Sequence, residues 1–473
     1  MNNIQIVVPM SGFGERFRKA GYDVPKPLIE IDGKPIIAHV IDMFPGETNF
    51  SFICNEDHLS NENYKMRDIL KEYCPTAKIY SIPPHKLGPV FAVQQIQDFL
   101  NMDQPIIVNY CDFTCYWDWQ HFKNFLEKTK CIGALPSYKG FHPHSLGSTN
   151  YAYMLEKDGW VEDIQEKQPY TNNRMNEFAS SGTYYFSSAK IMKESFAELV
   201  ERGLDLNGEY YVSLAYKILC KKIKSVAVYP LQHFMQWGTP EDVVEYNYWS
   251  KTFCLLSKTT NQIKKPIGSV VIPMAGLGTR FANEGYDKTK PLIPVSGTPM
   301  VIQAAKDLPA SSASAFVVRS DMPDYSEVEG TLKQFFPDAV IETIDHVTEG
   351  QACTAMIGVR ALVSSDKGNL MPVTIGACDS GAIYNEDKFL NLLNDDNVDV
   401  IVWGVRGYAN AIRNPEMFGW INEKNGRILS VSVKKPLSNP LTDPIVIGTF
   451  TFKKIEDFNR ATDNLIKRNG RIN

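Results

Sequence analysis

One segment is written twice in this chain. PMSGFGERFRKAGYDVPKPLIEIDGKP, from Pro9 to Pro35, returns as PMAGLGTRFANEGYDKTKPLIPVSGTP, from Pro273 to Pro299. Gly12, Gly14, Arg16, Lys26, Pro27, Gly33 and Pro35 map onto Gly276, Gly278, Arg280, Lys290, Pro291, Gly297 and Pro299 at a constant offset of 264. A repeat of that period implies two domains of one fold, and 473 residues suffice for each to bury a core. We expect a first domain over 1–256, a linker over 257–266 where LSKTTNQIKKP breaks the periodicity, and a second domain over 267–473.

Each copy of the segment follows a short apolar run, Ile4 to Val8 and Val270 to Ile272, that reads as a buried parallel strand. Glycines directly after a strand let backbone N–H groups approach an anion closely. Arg16 with Lys26, and Arg280 with Lys290, add cations that can reach the same anion, arginine being the better fork for phosphate oxygens. The pattern predicts a polyphosphate cradle at the carboxyl end of the first strand of an α/β sheet.

Further along, apolar runs and helical spacings alternate. Strands are expected at 50–54, 77–82 and 106–108, and helices at 35–43, 62–73 and 90–100. This order implies a doubly wound, mostly parallel sheet. Asp112 lies just past the fourth strand, where such folds place ligands, and a carboxylate there suits Mg²⁺. Its competing role is to cap a helix over 117–128. The second copy repeats a Cys-Asp pair at Cys378-Asp379, which favours the ligand role. Hairpin turns are expected at Lys157-Asp158-Gly159 and Lys424-Asn425-Gly426. Lys167 and Lys434 each stand eight residues after the turn glycine, suggesting a second phosphate contact, against the alternative of exposed edge-strand lysines.

Composition excludes several classes. The formal net charge is −5 and no Lys/Arg-rich run stands out, so nucleic acid is not expected as a partner. No apolar run approaches the ~20 residues that span a bilayer. No basic stretch followed by a long apolar one opens the chain, so no signal peptide is expected. Nine scattered cysteines without a framework fit reduced thiols and a cytoplasmic setting, and Cys111 with Cys115 is too little for a zinc site.

Strand–G-x-G-x-R, then K-P-L-x-x-x-x-G-x-P, resembles the opening signature of the sugar-1-phosphate nucleotidylyltransferases, and the likeness runs through most of both copies. It implies two tandem Rossmann-like, GT-A-like domains that transfer a nucleotidyl group from an NTP to a sugar-1-phosphate, releasing pyrophosphate with Mg²⁺ as cofactor. It makes Arg16, Lys26, Arg280 and Lys290 catalytic, and Asp112 and Asp379 metal ligands. Met10, Gly12, Gly14 and Gly88, with Met274, Gly276, Gly278 and Gly350, become nucleotide contacts. Lys167, Gly182, Glu209 and Lys434 become sugar-phosphate contacts. The chain departs from the pattern at Glu15, where threonine is usual, and at Gln236, where many members carry a second metal aspartate. Asn207 aligns with Asn473, so the second copy is expected to lack counterparts of Gly208 to about Lys251.

Rival readings are weaker. A dinucleotide-binding loop would need a third glycine where Phe17 stands, a Walker A loop would need G-K-[ST], and a glycosyltransferase would carry Asp-x-Asp where Asp112-Phe113-Thr114 stands. A cytidylyltransferase for a non-sugar phosphate, or a non-catalytic nucleotide or sugar-phosphate sensor in one or both domains, remains open, as does a homo-oligomer.

Overall fold

The computed structural model describes residues 4–142, 150–221, 225–258 and 265–470. The chain divides into two compact units, Met1–Ser250 and Lys251–Asn473.

The first unit is built on a ten-stranded sheet. Its strands are β1 (Gln5–Met10), β2 (Phe50–Asn55), β3 (Lys78–Ile82), β4 (Ile106–Asn109), β5 (Gly133–Tyr138), β6 (Ala152–Lys157), β7 (Trp160–Glu166), β8 (Phe178–Ser180), β9 (Thr183–Phe186) and β10 (Val226–Pro230), in the order β8-β6-β7-β10-β5-β9-β4-β1-β2-β3. Every residue of β1 is buried, as its unbroken apolar run predicts. Successive side chains of β1 enter different cores: Ile6, Val8 and Met10 lie in one and Val7 in the other. The sheet is therefore covered on both faces.

The expectation of a mostly parallel sheet is corrected. β1 pairs in parallel with β2 and β4, β2 with β3, and β5 with β10, whereas β9 runs antiparallel between β4 and β5 and a tight hairpin joins β6 to β7. For the hairpin the reason is local, as its turn sequence predicts. Asp158 and Gly159 take left-handed φ values of 53° and 83°, which close a two-residue turn that only antiparallel strands can use. Two expected helices are also broken. Residues 62–73 divide at Lys65, whose φ is 47°, and residues 90–100 shorten to a helix at Pro89–Gln94 and a 3-10 turn at Gln97–Phe99.

The second unit repeats the plan. Its sheet strands are β11 (Ser269–Pro273), β12 (Ala313–Arg319), β13 (Val340–Ile344), β14 (Val373–Ile375), β15 (Val400–Val405), β16 (Gly419–Lys424), β17 (Arg427–Val433) and β18 (Ile445–Phe452). They are ordered β13-β12-β11-β14-β18-β16-β17, with β15 also on β18. β11 has parallel neighbours on both sides, like β1, and it sends Val270 and Ile272 into one core and Val271 into the other. Of the expected linker, residues 259–264 lie outside the described residues, and Ser257 and Lys258 belong to the helix Pro240–Lys258.

Candidate functional site

In the first unit, β1 lies between β4 and β2, and the chain leaves its carboxyl end through the glycine turn. Gly14 has φ 62° and stands before a short helix, Glu15–Lys19, that carries Arg16. A Cβ placed on Gly12 would meet nothing within 4 Å. The space beside that backbone is open. Lys26 is set by a 3-10 turn, Lys26–Leu28, in which Pro27 and Leu28 are buried. Together these elements line a cavity of about 500 Å³ that also takes in Met10, Gly88, Asp112, Glu209 and Tyr211.

At the heart of that cavity the Lys26 ammonium donates to Asp112 Oδ2 at 2.8 Å. Burial alone would pull the lysine pKa down. The adjacent carboxylate outweighs it and holds the ammonium above its ordinary value. Asp112 is not a helix cap. The helix Trp119–Thr129 is capped by Asp118, which accepts from His121 N–H at 2.8 Å. Between them Phe113–Tyr116 pairs with His233–Gln236, and Trp237 N–H donates to the Asp112 carbonyl at 2.8 Å. The ribbon anchors the aspartate backbone and leaves its carboxylate facing the cavity. Cys111, next to it, is buried with its thiol pushed up to about 12, so it stays protonated at neutral pH.

The opposite wall comes from Glu209 and Tyr211, about a hundred positions away, and Lys167, which does not itself line the cavity, is bonded to it. Lys167, with φ 58°, donates to Tyr211 Oη at 2.6 Å and lies 4.4 Å from that ring's centre, and Tyr211 Oη donates to Glu209 Oε2 at 2.6 Å. This segment is joined to the turn at Gly88. Tyr210 N–H donates to the Leu87 carbonyl at 3.0 Å, and Val90 N–H to the Tyr210 carbonyl at 3.2 Å. Gly88 has φ 88°, and a Cβ there would stand 2.7 Å from Tyr210 N. Only glycine permits that approach. Tyr211, His85 and Lys86 line the same cavity and were not foreseen, and Glu15, noted above only as a departure, lines it too. No periodicity or spacing singles them out.

Gly182 is not brought to the cavity. It has φ 102°, and a Cβ would meet the Phe113 ring at 2.9 Å, so the packing there requires glycine. Gln236, at the departure noted above, is buried and donates to Asp242 Oδ1 at 2.7 Å, while Asp242 Oδ2 accepts from Thr239 N–H and Oγ1–H, each at 2.9 Å. Asp242 is thus committed to the start of the helix Pro240–Lys258. Among the described residues no group of three His, Cys, Asp or Glu side chains could hold a metal alone. A single cavity-facing carboxylate nevertheless fits Mg²⁺, which takes one or two carboxylates and completes its shell with substrate phosphates and water.

The second unit assembles the same core. Gly278 has φ 66°, and Lys290 donates to Asp379 Oδ2 at 2.5 Å. Met274, Gly276, Gly278, Lys290, Gly350 and Asp379 line a cavity of about 360 Å³. Arg280 instead lines a neighbouring hollow that shares Gly278, Lys290 and Asp379. Lys434 repeats the backbone of Lys167: its φ is 55° and its N–H donates to the Phe418 carbonyl at 2.9 Å, as Lys167 N–H does to Tyr151. Its side chain is exposed, however, and lines neither hollow.

Residues 7–216 match the family model described as nucleotidyl transferase. The chain is 25% identical over 271 residues to a bifunctional protein GlmU of Methanocaldococcus jannaschii, covering 56% of this chain and 58% of the relative. It is 22% identical over 223 residues to a mannose-1-phosphate guanylyltransferase catalytic subunit beta of Drosophila pseudoobscura pseudoobscura, covering 44% and 58%. The match therefore spans little more than half of each of these relatives. A solved nucleoside-diphosphate-sugar pyrophosphorylase from Vibrio cholerae is similar at a TM-score of 0.42 and 20% identity, over 52% of this chain and 100% of that one. No helix among the described residues is long and apolar enough to cross a membrane.

Proposed function

Taking the first unit as a nucleotidyltransferase domain, we propose that it transfers a nucleotidyl group from an NTP to a sugar-1-phosphate, giving an NDP-sugar and pyrophosphate. The observation that carries this reading is the Lys26–Asp112 pair, set 2.8 Å apart in a cavity walled by the glycine turn on one side and by Glu209 and Tyr211 on the other. Amides around Gly12 and Gly14 receive the triphosphate. Arg16 and Lys26 stabilise charge building on the α-phosphate and the departing pyrophosphate. The Lys167–Tyr211–Glu209 chain orients the acceptor, whose phosphate oxygen forms the new bond to the α-phosphorus as the bond to pyrophosphate breaks. Mg²⁺ held by Asp112 and the substrate phosphates supplies charge neutralisation when bound. Such a reaction depends on positioning and cations and needs no protein nucleophile.

The second unit, on this reading, is a tandem copy of the same domain, and a cytoplasmic setting accords with nine cysteines outside any disulfide. Support for the tandem reading comes from the Lys290–Asp379 pair beside a glycine turn of the same backbone shape. A second reading, in which that copy binds nucleotide without turnover, is favoured by Arg280, which lines a neighbouring hollow whereas Arg16 lines the main cavity of the first unit. The test is a pyrophosphate-release screen of the four NTPs against a panel of sugar-1-phosphates, on the full chain and on Lys26→Ala and Lys290→Ala variants. Release that depends on one sugar phosphate and on Lys26 is the expected result. No release with any pair would reject the transferase reading.

A further inference from the structure

In each unit a side chain from the end of the second strand reaches the backbone of the glycine turn. Asn55 closes β2, and its Nδ2 donates to the Ser11 carbonyl at 3.4 Å. Arg319 closes β12, and its Nη1 donates to the Ala275 carbonyl at 2.9 Å. Donors and acceptors are both related by the repeat offset of 264, and each carbonyl stands just before the first glycine of its turn. Asn55 is 1% exposed and the Arg319 side chain 4%. Two side chains of different chemistry thus make the same buried contact.

That contact fixes a peptide plane. Ser11–Gly12 and Ala275–Gly276 are trans peptides, so a carbonyl held on one side turns the glycine N–H to the other. Ser11 and Gly12 line the first cavity, whereas Asn55 lines a separate hollow of about 470 Å³. Ala275 and Gly276 line the second cavity, and Arg319 does not. Among the described residues neither glycine N–H meets an acceptor, so each is left to a bound molecule. Without the anchor, a peptide followed by glycine could turn over and set its carbonyl oxygen towards the cavity, where it would repel phosphate oxygens.

We propose that Asn55 and Arg319 are positioning residues that hold these two peptides so that the Gly12 and Gly276 N–H groups donate to a bound nucleoside triphosphate. The proposal rests on reading both cavities as NTP sites. For Asn55 the competing role is a helix cap, because its Oδ1 accepts from Asp57 N–H at 2.9 Å at the start of the helix Glu56–Ser60. The second unit shows how to separate the two roles. Arg319 Nε donates to Asp321 Oδ1 at 2.5 Å, and Asp57 stands at the position of Asp321. Asp57 also lines the hollow beside Asn55, so an arginine introduced there has room and a partner. It has no acceptor with which to cap the helix.

The test is equilibrium binding of ATP, GTP, CTP and UTP, each with magnesium, to the full chain carrying Lys290→Glu, which leaves the first cavity to be read. Asn55→Ser keeps a cap oxygen but is too short to reach the Ser11 carbonyl. It should bind the preferred nucleotide about tenfold more weakly, the scale of one hydrogen bond. Asn55→Arg should return the affinity to within about threefold of the parent, although losing the cap lowers its unfolding temperature. Recovered binding in a less stable chain cannot come from a residue that only caps or packs. In a Lys26→Glu chain, Arg319→Met should weaken binding at the second cavity by about tenfold. Undiminished binding by Asn55→Ser or Arg319→Met, or an Asn55→Arg chain no better than Asn55→Ser, would overturn the proposal and leave the NTP reading standing. A parent chain that binds no NTP would remove the NTP reading of its cavity, and this inference with it.

Discussion

Lys26 and Asp112 come from the turns after the first and fourth strands of one sheet, and their charged groups meet at 2.8 Å. The second unit sets Lys290 and Asp379 in the same relation at 2.5 Å. In each unit the pair holds a cation and a carboxylate beside an open glycine backbone, so a bound polyphosphate would find one group to neutralise it and another to carry a metal.

Removing the lysine leaves that carboxylate to repel the phosphates. Lys26→Ala should lower kcat/KM for pyrophosphate release by about 10²–10³-fold, the scale of losing one preorganised charge-stabilising donor. The measurement is steady-state kinetics with a confirmed substrate pair. Near-wild-type turnover would place the chemistry elsewhere.

Asp112→Asn should shift the magnesium requirement. The amide cannot supply an anionic ligand, so the magnesium concentration for half-maximal activity should rise at least about tenfold, and chelation should abolish activity in both proteins. A magnesium titration reads this directly. An unchanged midpoint would remove Asp112 from the metal site.

Lys167→Ala and Tyr211→Phe break the same hydrogen-bonded chain to Glu209. Both should raise KM for the sugar phosphate with less effect on KM for the NTP. The lysine variant should be the more severe, since it loses a charge as well as a bond. Equal effects on both substrates would mean that the chain only supports the fold.

Gly88→Ala tests how the two walls are joined. An alanine there is strained at φ 88°, and its methyl would lie 2.7 Å from Tyr210 N. We expect a loss of about 1–3 kcal/mol in stability, together with weaker binding of both substrates. Thermal unfolding and isothermal titration measure the two effects, and wild-type values in both would mean that Tyr210 moves away without cost.

Alkaline pH should destabilise the first unit. Burial pushes the thiols of Cys54 and Cys111 from 9.0 up to about 12. The folded state therefore keeps protons that the unfolded chain releases, and stability present below pH 9 is lost as pH rises towards 12. Denaturant midpoints between pH 8 and about 11 should fall, and Cys111→Ala should reduce the slope. A slope unchanged in that variant would assign the loss to other groups.

Much of this was legible in the sequence, because the informative residues are local. Gly14, Arg16 and Lys26 fall within one short segment after one strand, and its repetition at Gly278, Arg280 and Lys290 exposed the plan twice. Asp112 was ambiguous until the ribbon of Phe113–Tyr116 with His233–Gln236 separated it from the helix that Asp118 caps. The β6–β7 hairpin was legible in its turn, but the antiparallel strand inside the main sheet was not. Antiparallel β9 enters between β4 and β5 by a long return, and an apolar run does not carry its own direction. Nor could spacing reveal Tyr211, which reaches the site because Gly88 admits Tyr210 across a separation of more than a hundred residues.

The most direct test is a crystal structure of the chain with a non-hydrolysable NTP analogue and magnesium. The account predicts density for a triphosphate against the amides of Gly12 and Gly14, with Lys26 and Arg16 bonded to its oxygens and a metal bridging it to Asp112. Nucleotide bound elsewhere, with Arg16 and Lys26 turned away from it, would contradict the account.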